Sequence, residues 1–299
     1  MLNPETILCN CTLCPRECKI NRYEKVGACG AGADILGALA NLHVWEEPPI
    51  SGTNGSGTVF FSGCTLKCIF CQNSEISHGG KGKKISVLRL AEIFLELQEK
   101  GAHNINLVTP THFIPQIINA LDIAKPKLEI PVVYNTSGYE KAETIKMLDG
   151  YVDVYLQDIK YFDDEFAVKY SNAKNYFDYA FSSLCEMLSQ HPKPVYSNEL
   201  IKKGVIVRHM VLPGAYKDSV KILEKLKNIT NGEFILSLMS QYTPVGKNEK
   251  YPELNRKITS FEYKKVVNKA IELGFENGFM QEKSSSTEEY IPNFDFRGL

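Results

Sequence analysis

The chain has no surplus of charge, no long apolar run and no internal repeat. Its 34 basic and 35 acidic side chains leave a net charge of −1. So weak a field gathers neither phosphate polymers nor anionic lipid, and neither nucleic acid nor a charged membrane surface is indicated as a partner. The longest uncharged apolar stretch, residues 35–45, is 11 residues long and too short to cross a bilayer. The opening Met-Leu-Asn-Pro-Glu lacks the basic and apolar regions of a secretory leader, which sets the expectation of a cytoplasmic protein. With 43% hydrophobic and 23% charged residues over 299 positions, disordered and fibrous classes are excluded.

What the sequence has in excess is cysteine. Eight of the nine cysteines fall at positions 9, 11, 14, 18, 29, 64, 68 and 71. In a chain of this length that is expected to be cytoplasmic, such clustering favours metal binding or redox chemistry over disulfides. The ninth, Cys185, lies in an expected helix, where a buried inert thiol is the default.

From Val59 onward, short β-branched runs alternate with amphipathic helical ones. Strands are expected at residues 58–61, 105–108, 131–134, 152–156, 205–210 and 234–238. One helical stripe is Leu90, Phe94 and Leu97, with Ser86 as its cap and Gly101 beyond its end. A second is Ile114, Ile117, Ile118 and Leu121, with Pro115 in the first turn, and a third is Tyr263, Val266, Val267, Ala270 and Ile271. Residues 163–190 read as helix broken near Asn172. About six strand–helix units imply an α/β fold with parallel pairing, a partial (β/α)6-type TIM-like barrel; a doubly wound sheet shares the rhythm. Residues 1–56, rich in Cys, Gly and Pro, read as an N-terminal extension with a second metal site. Residues 57–282 read as the barrel, and 283–299 as a polar, loosely held C-terminal tail.

The segment Cys64-Thr-Leu-Lys-Cys68-Ile-Phe-Cys71 places three thiols directly after the first barrel strand. Three thiolates on one tight loop can hold three irons of a [4Fe–4S] cubane and leave the fourth without a protein ligand. An open metal position separates a working site from a structural one. A zinc loop completed by His78 or an N-terminal cysteine is the alternative. Cys11, Cys14, Cys18 and Cys29, with Pro15 and Gly27 shaping turns, form a second tetrathiolate candidate for zinc or an auxiliary iron–sulfur cluster. Free thiols so close together would oxidise readily.

In a (β/α) barrel the working side chains belong at the C-terminal strand ends. Those ends read Thr109-Pro-Thr-His112, Asn135-Thr-Ser137, Asp158-Ile-Lys160, Arg208-His209 and Gln241. Arg208 is suited to gripping a carboxylate with two hydrogen bonds. Asp158 with Lys160, taken alone, is an ordinary surface pair. His112 reads as a polar helix cap in preference to a proton carrier. Trp45-Glu46-Glu47-Pro48-Pro49 reads as a rigid covering segment in preference to a substrate role for its two carboxylates, and Met239 as core in preference to a sulfur ligand.

The three-cysteine signature, with Phe70 just before the third cysteine, resembles the radical S-adenosylmethionine (SAM) superfamily. The wider text, from Trp45-Glu-Glu-Pro-Pro-Ile-Ser-Gly52 through Val59-Phe-Phe-Ser-Gly-Cys64 to Cys71-Gln-Asn, resembles its pyruvate formate-lyase activating enzyme-like subgroup. The resemblance implies an enzyme with a [4Fe–4S] cluster on Cys64, Cys68 and Cys71. SAM would chelate the open iron, accept one electron and yield a 5′-deoxyadenosyl radical that abstracts hydrogen. It further implies cofactor contacts at Phe70, Thr109, Asn135, Thr136, Ser137, Asp158, Lys160, Arg208 and Gln241, the arginine preceding a Leu212-Pro-Gly214 turn. Where most of the superfamily ends its second strand in Gly-Gly-Glu, this chain has Val108-Thr-Pro-Thr-His112, so Thr109 or Thr111 is expected to substitute through its hydroxyl. The nearest described activity is activation of a glycyl-radical enzyme, which implies a protein or peptide partner and a flavodoxin- or ferredoxin-type reductant. A small-molecule substrate, or a non-catalytic iron–sulfur or zinc protein, are the alternatives.

Overall fold

Six strands pair in parallel in the order in which the chain makes them, as a barrel winds and a doubly wound sheet does not. In this computed structural model residues 4–78, 80–229, 231–281 and 292–299 are described. The strands are β1 (Ile35–His43), β2 (Ser56–Phe61), β3 (Lys83–Ile85), β4 (Ile105–Val108), β5 (Val132–Thr136), β6 (Val154–Asp158), β7 (Val195–Ser197), β8 (Leu200–Met210), β9 (Ile235–Met239) and β10 (Gly278–Met280). The helices are α1 (Pro4–Leu8), α2 (Pro48–Ser51), α3 (Ser74–Ser77), α4 (Val87–Glu99), α5 (Ile114–Ala124), α6 (Ala142–Lys146), α7 (Asp164–Ser171), α8 (Tyr176–Gln190), α9 (Tyr216–Lys227) and α10 (Ser260–Glu272). The parallel run is β2-β4-β5-β6-β8-β9, extended by β10 at one edge and by antiparallel β1 and β3 at the other. The α/β partial barrel is therefore the observed fold.

Period-2 alternation sorts each strand into two faces. On β8, Val205 and Val207 join the main core beneath the helices, while Ile206 joins Val133, Val154, Leu156 and Ile235 on the other face. Ile50 of α2 plugs that inner cluster. One step further along the same face stand Asn135, Asp158, Arg208 and Ser237, so the fold itself lifts a polar layer above an apolar floor.

Local signals explain the helices. Ser86 caps α4, its hydroxyl accepting the Arg89 N–H at 3.0 Å. The expected break near Asn172 separates α7 from α8, and both Asn172 and Asn175 adopt left-handed backbone, φ 47° and 53°. Asparagine tolerates that conformation better than most residues.

β1 lies within the segment read as an extension, yet it belongs to the barrel sheet. Its Ile-Leu-Gly-Ala-Leu-Ala text carries no β-branched run, and its strand state comes from pairing with β2. Residues 283–291 of the expected tail lie outside the described residues. The end of the chain packs on β1: Ala40 N–H donates to the Arg297 carbonyl at 2.9 Å, and Phe294 meets Phe60 edge-on at 5.4 Å. Cys185 sits in α8 as expected, but half-buried.

Gly138 joins the end of β5 to the site with φ +83°, and a Cβ there would strike the Asp158 carbonyl oxygen. Gly138→Ala is expected to cost about 3 kcal/mol, from left-handed backbone plus a clash with main chain. The thermal midpoint of the variant checks it; an unchanged midpoint would mean that this turn is not held as described.

Candidate active site

The loop after β2 turns sharply through Gly63 (φ 91°) and Lys67 (φ 54°), which brings its three cysteines onto one side. The Cys64 sulfur accepts the Leu66 N–H at 3.4 Å, and the Cys71 sulfur accepts the Ser77 hydroxyl at 3.4 Å. Tyr161 and Ser171, 2.7 Å apart at their hydroxyls, both reach Cys68. Burial pushes all three thiols up, against the pull of the Lys160 ammonium. The loop is tied down by Ile69 N–H to the Tyr170 carbonyl at 2.9 Å, and by Cys64 N–H to the Cys29 carbonyl at 3.0 Å.

A cavity of about 260 Å³ opens beside this loop at the C-terminal strand ends. Cys64, Cys68, Cys71, Phe70, Thr109, Asn135, Thr136, Ser137, Asp158, Lys160, Arg208 and Gln241 all line it, so every residue singled out for the cofactor and the first cluster shares one cavity. The donor set fits the cluster: three thiols on one side of the cavity, and no cysteine among the other lining residues. Among the described residues no three Cys, His, Asp or Glu side chains converge on a single ion. A cubane does not ask for that, because each thiolate binds its own iron.

The electrostatics centre on Arg208. Its Nε donates to Asp158 at 2.8 Å, one terminal nitrogen to Glu46 at 3.0 Å and the other to Asn135 at 2.7 Å. Burial opposes its charge, but the carboxylates of Asp158, Glu47 and Glu46 outweigh burial and hold it protonated. Asp158 is likewise held below its ordinary range: burial raises it, while Arg208 and Lys160, the latter 2.6 Å away, bring it down. The Arg208 fork is engaged by Asp158, Glu46 and Asn135, which ties the strand tips and the β1–β2 connection into one polar wall.

Glu46 was read as part of a covering segment, with a substrate role for its carboxylate as the lesser alternative. It reaches into the cavity, and its other oxygen accepts from Asn106 at 3.0 Å and Asn135 at 3.1 Å. The usable sequence signal was the charge balance, since Arg208 and Lys160 at the strand ends have one acid there, Asp158, between them. Met239, read as core, is buried and also lines the cavity.

His112 is neither cap nor proton carrier. It lies buried outside the cavity with Nε2 2.8 Å from the Ser62 carbonyl, and burial pushes its pKa down to about 3, so the ring stays neutral. Of the two threonines standing where Gly-Gly-Glu would be, Thr109 faces the cavity and adopts φ 56°, a left-handed backbone costly for a β-branched residue. Thr111 turns away and donates to Glu140. Glu140, which sequence reasoning missed, is fully buried. One of its oxygens accepts from the hydroxyls of Thr111, Thr136 and Tyr134, and the other has no partner among the described residues.

Fold and site together define the class, an open α/β barrel whose strand tips and three-cysteine loop share one cavity. The model of the radical SAM superfamily matches residues 58–226. An uncharacterized protein of Methanocaldococcus jannaschii is 32% identical over 276 residues, covering 88% of this chain and 75% of that protein. In structure the chain is similar to Streptococcus suis SuiB bound to its precursor peptide SuiA, with TM-score 0.51 and 15% identity over 73% of this chain and 46% of that one. It is also similar to SuiB bound to SAM, with TM-score 0.50 and 15% identity, covering 73% of this chain and 48% of that one. The chain thus spans about half of SuiB, and at this identity the likeness establishes the fold. The chain belongs to the radical SAM superfamily, and that family implies a [4Fe–4S] cluster and SAM. Among the described residues no helix is long and apolar enough to cross a membrane.

Burial pushes the Glu140 carboxyl up to about 7, against the three hydroxyl donors that favour its charge. Between about 4.5 and 7 the folded chain therefore holds a proton that the unfolded chain releases, and stability falls as pH rises through that window. Glu140→Gln removes this dependence. Its stability relative to wild type is expected to rise by up to about 3 kcal/mol from pH 5 to pH 8, read as the difference in thermal midpoints. A pH-independent difference would contradict the raised pKa.

Proposed function

We propose that this chain binds SAM in the cavity beside the Cys64–Cys71 loop and directs hydrogen abstraction at a polypeptide, with a glycyl-radical enzyme as partner class. The observation that carries this reading is that three thiols and the polar ends of successive strands wall a single cavity. When bound, the cluster and SAM supply one-electron cleavage to a 5′-deoxyadenosyl radical.

The chain's own residues bind, orient and exclude water. Cys64, Cys68 and Cys71 hold the cluster, while Lys160, which acts electrostatically on all three thiols, offsets their negative charge. Thr109 and Ser137 offer hydroxyls to the polar parts of SAM from the strand tips. The Asp158–Arg208–Glu46–Asn135 wall is already hydrogen-bonded within itself, so it presents fixed dipoles without reorganising when a ligand enters. Phe60, Phe61, Leu66, Phe70 and Tyr242 line the remainder and keep water and stray hydrogen donors out. Phe70 is fixed by edge-on contacts with Tyr170 and Tyr242 at 6.3 and 6.0 Å. Ile69, 40% exposed between Cys68 and Cys71, brings the loop to the surface, where a flavodoxin- or ferredoxin-type reductant can approach.

The anaerobically reconstituted protein, given dithionite and SAM, is expected to release 5′-deoxyadenosine. Cys68→Ala is expected to lower that release at least a hundredfold with the far-ultraviolet circular dichroism unchanged; undiminished release would refute the ligand assignment. For the substrate, extracts grown on deuterated glycine are fractionated by size. Deuterium in 5′-deoxyadenosine from the macromolecular fraction supports the polypeptide reading, whereas transfer from the low-mass fraction alone would replace it with a small molecule.

A further inference from the structure

We propose that Arg16 is a positioning residue for the cluster loop, clamping the Thr65–Leu66 turn to the end of α7 and steadying the Cys64 and Cys68 sulfurs from behind. The proposal rests on the reading of that loop as the seat of the cluster. Arg16 belongs to the N-terminal segment and is half-buried, yet its guanidinium ends on four main-chain carbonyls remote from it in sequence. Nε donates to the Thr65 carbonyl at 2.9 Å, and one terminal nitrogen to those of Ser171 at 3.0 Å and Leu66 at 3.4 Å. The other terminal nitrogen donates to the Asn172 carbonyl. No carboxylate among the described residues pairs with it. Arg16 stands between Cys14 and Cys18 of the segment read as a second metal site, where no three Cys, His, Asp or Glu side chains among the described residues are placed to hold one ion.

Both sets of carbonyls need a donor from outside. Thr65 and Leu66 are buried and lie in a turn that ends at Lys67, φ 54°, outside any strand or helix. A buried carbonyl left unpaired is costly. Ser171 and Asn172 close α7, and the last carbonyls of a helix have no partner within it and favour a cation. One planar guanidinium with five N–H groups answers both sets. The Tyr139 ring holds that plane, its centroid 5.2 Å from the guanidinium carbon. The preceding carbonyl, that of Tyr170, takes the Ile69 N–H at 2.9 Å, so residues 170–172 are the platform on which the loop sits.

The clamp reaches two sulfurs through single groups. The Thr65 carbonyl and the Leu66 N–H are the two ends of one planar peptide. Arg16 holds its oxygen, and the Cys64 sulfur accepts its N–H at 3.4 Å. Ser171 gives its carbonyl to Arg16 and its hydroxyl, which meets that of Tyr161, to Cys68. Hydrogen bonds to the sulfurs and nearby charge set the potential of an iron–sulfur cluster, and donors and cations favour the added electron. Arg16 thus acts on the cluster without touching it.

The test uses the full-length chain and reads no turnover. The chain is stripped of iron, and alkylation of each cysteine by iodoacetamide is followed by mass spectrometry. Arg16→Gln is expected to react about tenfold faster at Cys64 and Cys68, with Cys185 unchanged. Rates at Cys64 and Cys68 within about twofold of wild type would overturn the proposal. The reconstituted variant is then titrated with a chemical reductant under electron paramagnetic resonance. Its reduction is expected to be about tenfold less favourable, a midpoint about 59 mV more negative for one electron. Faster alkylation with an unmoved midpoint would support the clamp and remove the influence on potential. Arg16→Lys keeps the charge without the planar fork, so its midpoint is expected to return toward wild type while its loop thiols stay reactive. Should Arg16→Gln not fold, Arg16→Lys decides alone, and unchanged alkylation in it overturns the clamp. A wild-type chain that takes up no cluster would refute the reading of the loop, and the alkylation rates would still decide for or against Arg16.

Discussion

Three thiols on one loop can satisfy three corners of a cubane and no more. That shortfall is the constraint around which the rest of the molecule is arranged. The loop is rigid because left-handed turns and hydrogen bonds from both flanks fix it, and it stands where the parallel strands end. The cavity wall facing it carries hydroxyls, amides and compensated charges in place of a fourth cysteine. A wall of that composition suits a polar cofactor and leaves a metal corner free for it.

The polar wall rests on packing as much as on charge. Alternation along β5, β6 and β8 puts Val133, Leu156 and Ile206 in an apolar floor and Asn135, Asp158 and Arg208 one layer above it. Asp158 and Arg208 are direct partners in the strand register, so their ion pair follows from the sheet and needs no loop to bring it together. Glu46 then closes the layer from the β1–β2 connection, while Ile50, four residues on, plugs the floor. One short segment thus finishes both layers.

The strands and long helices were legible because their periodicity is local, and the six expected strands all pair in order. The cysteine loop was legible because its chemistry is carried by spacing. The strand-end residues followed from the barrel, since the fold dictates which positions meet. What escaped is what depends on partners remote in sequence. β1 is a strand because β2 pairs with it, Glu46 faces inward because Arg208 draws it, and Glu140 is defined by hydroxyls from two different strand ends. His112 was misread for the same reason, since its role is set by the Ser62 carbonyl across the sheet.

The most direct test of the open corner is Mössbauer spectroscopy of the protein reconstituted with iron-57, recorded with and without SAM. The Cys14→Ser/Cys18→Ser chain is used, so that only the Cys64, Cys68 and Cys71 cluster contributes. The account predicts that SAM alters the signal of one iron in four and leaves the other three unchanged. Four irons that ignore SAM would mean a closed cluster, and the central claim would fail.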